Sequence, residues 1–496
     1  MSTSDFIEPS IDMSDSAEIQ LKAKDQTKKP VEEPAPQDNS SRNFDGYAEF
    51  VNHMAQLRIP IFANKYLLRD MTISVIGKGG TYVVRTAKLG DPLRSHNSRP
   101  FLLKASEEAL ALGHPVESRI VEEGTNVVTK HIDFRNLKQG RAQGRLPASK
   151  FLKPFQIEAI ILSHHLIREH PLFPSLLGIG LESSPDDVGE VPQLYPYMVM
   201  ELGRQGSLEQ SMREIWYRLL QRAPGSPSQY DLNFTYRNLV IPWRWKLSLA
   251  RSICTALGVL HHYGVVHGDV KLSNTLALIM ESGFRRLDQT RLELVMSGHG
   301  LAQLADFGSS ILLSQIPVSA KARLRSHTPP WNAPESTSEI QRDDLIKTDI
   351  YSYGLLFARI MLQGASPFAS GFDAASLLGL GLPAHDSADI QRLRDVDKID
   401  EHIYERIQAT DFYSDEQLQA IRTVLQRTLR TEPKDRVGTL ETVCEFLTIC
   451  YTSGPEEAVA RSVTIFRSIT YHQTEVLLSH FTKRFYIAVS CIFVPD

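Results

Sequence analysis

Cysteine is scarce in this chain, with four thiols in 496 residues: Cys254, Cys444, Cys450 and Cys491. Their spacing fits no metal-binding pattern and no secretory context accompanies them. This argues against a disulfide framework and for a reduced, intracellular protein. Basic charge is not in excess either. The 54 Lys and Arg face 58 Asp and Glu, a net charge of −4, so no basic face is advertised for nucleic acid. Long apolar runs are missing as well. The N-terminus lacks the basic start and continuous apolar core of a signal peptide. Near the other end, the apolar run from Phe485 to Val494 stops at Pro495, well short of the ~20 residues that span a bilayer. A terminal strand or packed tail is expected there, and no membrane span. Residues 1–45 are rich in Ser, Pro, Asp, Glu and Lys and poor in aromatics. Such a segment cannot bury enough apolar surface to offset the entropy of ordering, so a disordered tail is expected.

What is present is an ordered set of groups suited to phosphoryl transfer. The run Val266-His267-Gly268-Asp269-Val270-Lys271-Leu272-Ser273-Asn274 is followed by Asp306-Phe307-Gly308. An acceptor hydroxyl needs a carboxylate to orient it and take its proton, and Asp269 can be that group. Lys271 can neutralise charge on the migrating phosphoryl group. Asn274 and Asp306 are oxygen ligands of the kind a hard ion such as Mg²⁺ selects. Upstream, the β-branched residues around Gly77-Lys78-Gly79-Gly80 predict two antiparallel strands joined by a glycine turn, where a backbone can approach a phosphate closely.

The spacing Asp-x-Lys-x-x-Asn, then Asp-Phe-Gly, then Ala333-Pro334-Glu335 resembles the eukaryotic serine/threonine protein kinases, over roughly residues 70 to 450. The insertion-rich make-up resembles the divergent kinase-like proteins of filamentous fungi. The resemblance implies ATP and Mg²⁺ as cofactors and protein substrates as partners. It also implies an α+β, bilobal fold: an N-lobe at 70–200 with a small antiparallel sheet and one main helix, and a larger, mainly helical C-lobe at 203–450. A lead-in at 46–69, insertions near 91–122 and 278–300, and a C-terminal extension at 451–496 complete the expected organisation.

Residue by residue, the resemblance implies the following. In the family's G-x-G-x-x-G-x-V loop, Gly77, Gly79 and Val84 fit, while Tyr82 stands where the third glycine belongs. The phosphate-binding lysine of the third strand is Lys130, in Val127-Val128-Thr129-Lys130, with Lys104 as its rival. Its helix partner is Glu158, an acid embedded in an apolar helical pattern. Met200 guards the back of the nucleotide pocket, backbone groups of Glu201 and Gly203 meet the adenine edge, and Ile76, Val84, Val128 and Leu276 sandwich the base. Thr328 contacts the Asp and Lys of the loop, Asp349 supports the loop through its backbone, and Arg436 pairs with Glu335. Trp243 to His262 reads as an amphipathic helix leading into the loop. Gly268 replaces an arginine that answers activation-segment phosphates in many kinases, which puts that mode of control in doubt. His-Gly-Asp also resembles the loop of aminoglycoside and choline-type phosphotransferases, but Lys271, the Asp-Phe-Gly and the Ala-Pro-Glu favour a protein kinase. A kinase-shaped scaffold without transfer remains the alternative.

Overall fold

The structure is a computed structural model that describes residues 54, 57, 59, 61–62, 67–68, 75–78, 82–89, 126–133, 149–168, 170–183, 194–202, 206–213, 241–278, 301–326, 328–368 and 387–454. The expected tail, the insertion at 91–122 with Lys104, most of the lead-in and second insertion, and the extension beyond 454 lie outside the described residues. So do Gly79 and Gly203.

Seven strands among the described residues form one sheet: β1 (Ile61–Phe62), β2 (Leu67–Leu68), β3 (Val75–Lys78), β4 (Tyr82–Leu89), β5 (Asn126–Ile132), β6 (Leu176–Ser183) and β7 (Leu194–Glu201). Their order is β1-β6-β7-β5-β4-β2, with β3 also on β4. The glycine hairpin pairs antiparallel as its β-branched flanks predict, Gly77 opposite Val84. Residues 127–132 of β5 are buried throughout because β5 is central, flanked by β4 and β7, and its Val-Val-Thr run suits a strand covered on both faces. Pro196 sits in β7 beyond the stretch that pairs with β5, where the missing N–H breaks no ladder on that side. The antiparallel sheet expected over 70–200 gains one further pairing from the lead-in. The two-residue β1 lies parallel to β6, Ile61 opposite Ile179, a pairing between residues more than a hundred positions apart that no local pattern encodes.

Helix α1 (Ser149–Ser163) packs against β6 and the turn at Phe307–Ser309 and runs through Pro154, starting earlier than the apolar pattern from Phe155 suggests. A proline inside a helix costs ~3 kcal/mol. Burial of Phe155, Ile157, Ile161 and Leu162, at roughly 1.5–3 kcal/mol each, outweighs it. A short α2 (His165–Arg168) follows.

The remainder is mainly helical: α3 (Trp243–His262), α4 (Leu345–Met361), α5 (Ser387–Asp395), α6 (Ile399–Gln408), α7 (Asp415–Thr428) and α8 (Leu440–Thr452). The predicted apolar positions of α3, Leu247, Leu249, Ile253, Leu257 and Leu260, are all buried, but so are Lys246, Ser248, Ser252 and Thr255. An amphipathic helix was expected. Instead α3 is enclosed nearly all round, because α4, α8 and the strand pair below each take a face. The segment from His267 to Asn274 is held between short strands. Strands β8 (Val265–Val266) and β11 (Ile311–Leu312) pair, as do β9 (Thr275–Leu278) and β10 (Leu301–Leu304), the latter two flanking the second insertion. No described helix is long and apolar enough to cross a membrane. Cys254, Cys444 and Cys450 are buried free thiols, and Cys491 is outside the described residues.

Candidate active site

The loop after β8 is shaped by Asp349 on α4. Its Oδ2 accepts the His267 N–H at 2.7 Å and the His261 Nε2–H at 2.9 Å, and its Oδ1 accepts the Gly268 N–H at 2.9 Å. Burial pushes the Asp349 carboxyl up, but these donors outweigh it and hold its pKa below the usual carboxylate range. Gly268 has φ +77°, and a Cβ there would meet the Ser309 carbonyl oxygen at 2.9 Å, so the bend that delivers Asp269 suits glycine on both counts.

Asp269 is then surrounded. Lys271 Nζ donates to its Oδ2 at 2.7 Å, Asn274 Nδ2 to the same oxygen at 2.9 Å, and the Thr328 hydroxyl to Oδ1 at 2.9 Å. Thr328 Oγ1 also accepts from Lys271 at 3.0 Å, so one threonine binds both charged groups of the loop. Since the Asn274 amide nitrogen is spent on Asp269, the atom it offers elsewhere is its oxygen. A small cavity lined by Asp269, Leu324, Thr328 and Trp331 opens alongside.

The Asp306 turn is tied to this loop. The preceding residue, Ala305, donates its N–H to the Asn274 carbonyl at 2.9 Å and accepts from His267 Nε2 at 3.1 Å. His267 Nδ1 accepts the Asp269 N–H at 3.2 Å, so the proton of this imidazole must sit on Nε2. His267 thus clips the two loops together, a role the sequence reading did not assign although the residue stood inside its motif. Asp306 itself adopts the left-handed conformation, φ +67°, uncommon outside glycine but tolerated by aspartate. Phe307 turns into the core between His267 and Phe173, at ring-centre distances of 5.3 and 6.0 Å.

From the sheet side comes Lys130, whose Nζ lies 2.6 Å from Glu158 Oε2 and 2.8 Å from Asp306 Oδ1. The side chains of Lys130 and Glu158 are 7% and 3% exposed, whereas that of Asp306 is 48% exposed, so the buried pair meets a carboxylate that solvent reaches. Burial works against the Lys130 ammonium, yet Asp306 and Glu158 raise its pKa above the ordinary value. Lys130 in turn holds the Asp306 carboxyl below the usual range. Burial draws the Glu158 carboxyl up, with Lys130 opposing. Glu335 and Arg436 form a two-pronged pair at 2.5 and 2.8 Å, 101 residues apart.

The residues expected to face a nucleotide are placed less completely. Val128 opposes Met200 across β5 and β7, and both are buried. Val84 is partly buried on β4, and Leu276 is half-buried on β9. Gly77 and Ile76 lie on β3. The Glu201 N–H donates to the Ser175 carbonyl at 3.0 Å, tying the end of β7 to the start of β6.

The family model for protein tyrosine and serine/threonine kinases matches residues 152–443. That match starts inside α1, after the glycine hairpin and Lys130. The human dual specificity testis-specific protein kinase 2 is 27% identical over 126 residues, which are 25% of this chain and 19% of that protein. A serine/threonine-protein kinase-like protein of Arabidopsis thaliana is 25% identical over 181 residues, 36% and 43% of the two chains. LIM domain kinase 1 of Drosophila melanogaster is 26% identical over 136 residues, 25% and 11%. The chain therefore spans less than half the length of the curated relatives it matches.

Proposed function

We propose that this chain, which belongs to the protein tyrosine and serine/threonine kinase family, transfers the γ-phosphoryl group of ATP to serine or threonine hydroxyls of protein substrates. One observation carries the reading: Lys130 reaches Glu158 and Asp306 at once, and Asp306 is tied through Ala305 to the loop that holds Asp269. Asp269 orients the acceptor hydroxyl and takes its proton. Lys271, already beside that carboxylate, meets the charge on the transferring group, and Lys130, held by Glu158, grips the nucleotide phosphates. Met200, Val84, Val128 and Leu276, with Ile76, enclose the base, Gly77 and Gly79 meet the phosphates, and main-chain groups of Glu201 and Gly203 meet the adenine edge.

Asn274 and Asp306 are the residues that would hold Mg²⁺, which when bound offsets phosphate charge. The fit is chemical: an amide whose nitrogen is engaged by Asp269, leaving its oxygen as the ligand atom, and a carboxylate that already accepts a cation, Lys130. No group of three or more His, Cys, Asp or Glu able to hold a metal occurs among the described residues. Mg²⁺ needs none, because it takes one or two protein oxygens and completes its shell with phosphate and water.

Preference for serine and threonine is supported by Lys271 and by its contact with Thr328. The relative named as dual-specificity makes tyrosine the acceptor to test against. An intracellular setting agrees with the three free thiols. A second reading, a nucleotide-binding scaffold without transfer, is favoured by Tyr82 in the glycine hairpin. Incubation of purified protein with radiolabelled ATP and a protein acceptor, followed by phosphoamino-acid analysis, separates the readings. Label on Ser or Thr, lost in Asp269→Asn and Asp306→Asn, is the expected result. Equal labelling by all three proteins overturns the site, and ATP binding without transfer establishes the scaffold.

A further inference from the structure

The buried ion pair has an aromatic cover that the reaction does not call for. Tyr82 opens β4, and its ring lies with its centroid 4.8 Å from Lys130 Nζ, within cation–π range. The ring packs on the main core. Its hydroxyl is hydrogen-bonded to the main chain of Phe155, one helical turn before Glu158 on α1, and burial raises its pKa. Tyr82 therefore touches both partners' elements: the ammonium on the sheet and the helix that carries the carboxylate.

We propose that Tyr82 is a positioning residue that braces Lys130 against Glu158, keeping sheet and helix assembled before nucleotide arrives. Glu158 is held from one side by Lys130 and by the Phe307 main chain. Tyr82 adds a restraint of its own, its ring against the same ammonium. An aromatic face is suited to this task, because it attracts the cation without adding a third carboxylate to a cluster that already has Glu158 and Asp306 around one lysine. The same side chain explains how the hairpin can dispense with its third glycine: a strand end pinned onto α1 is positioned by packing, where a flexible turn would be positioned by the phosphates it meets.

This inference rests on the proposed phosphotransferase for its kinetic arm only. Three variants divide the contributions: Tyr82→Phe keeps the ring and drops the hydroxyl, Tyr82→Leu keeps apolar bulk without a π face, and Tyr82→Gly restores the family's residue. Hydrogen–deuterium exchange on the full chain without nucleotide reads the brace directly. Faster exchange confined to α1 and β5 is expected for Leu and Gly, with Phe close to the parent. In the kinetic arm, KM for MgATP rises roughly 2- to 30-fold for Leu, the range of a cation–π contact, while kcat moves less and Phe restores most of the loss. Unchanged α1 exchange in both Leu and Gly overturns the proposal. So does a lower KM for MgATP in the Gly variant, which would make Tyr82 an obstruction. If the parent transfers no phosphate but α1 loosens as described, the brace stands and the proposed reaction falls.

Discussion

The two halves of the site are built differently. Asp269, Lys271 and Asn274 fall within six positions of one another, and the loop carrying them is fixed by Asp349 through main-chain N–H groups. Lys130, Glu158 and Asp306 come from β5, α1 and the turn after β10, the first two 28 positions apart and the first and last 176. The first cluster depends on a short stretch of chain taking one shape. The second exists only while sheet, helix and loop are packed together, so its geometry reports the state of the whole fold.

The largest test of that contrast is Lys130→Ala. Removing the cation leaves Glu158 buried and unpaired, and stability is expected to fall by about 3–5 kcal/mol, read from chemical denaturation. Asp269→Asn should not lower stability comparably, and equal losses from the two variants would erase the distinction. A smaller effect is expected at Thr328, which joins the short-range cluster from 57 residues beyond Lys271. Thr328→Val deletes hydrogen bonds to two charged groups worth about 1.5–3 kcal/mol. It should lower kcat/KM for the protein acceptor by roughly 10- to 150-fold, with KM for ATP little changed. A shift confined to ATP would place Thr328 with the wrong half.

The smallest effect concerns the passage from α2 to β6. Burial lowers the His170 pKa from 6.5 to about 4, and its Nδ1 accepts the Leu172 N–H at 3.3 Å. Its imidazole is neutral in the folded protein, and protonation is easier once the chain unfolds. The stability it contributes is therefore full above pH 6.5 and is lost as pH falls towards about 4. At about pH 5 the loss should be about 1–2 kcal/mol, absent in His170→Gln. A parent and variant with the same acid limb would show that this imidazole is not sealed.

Legibility in the sequence followed the same divide. The loop groups could be read because their spacing is local, and Glu158 stood out as an acid inside an apolar helical pattern that had to find a cation. The seven-stranded sheet was half legible: the glycine hairpin announces itself through β-branched flanks, but the parallel β1–β6 pairing depends on residues far apart in the chain. The enclosure of α3 escaped the periodicity because Lys246, Ser248 and Thr255 read as a solvent face until α4 and α8 cover them. Lys246 manages burial by donating to the Tyr413 hydroxyl at 2.6 Å and lying against aromatic rings, partners no local pattern supplies. His267 and Tyr82 were visible as letters, the one inside a motif and the other as a departure from it. Their work became apparent only as distances.

Sequence alone determined which chemical groups are available and, for the loop, their mutual reach, because residues a few bonds apart cannot stray far. Tertiary structure decided which lysine meets Glu158, that Asp306 shares its cation, and that a tyrosine covers them. Those contacts join segments whose separation along the chain imposes no distance, and only packing of the sheet against α1 and the Asp306 turn brings them within a few ångströms.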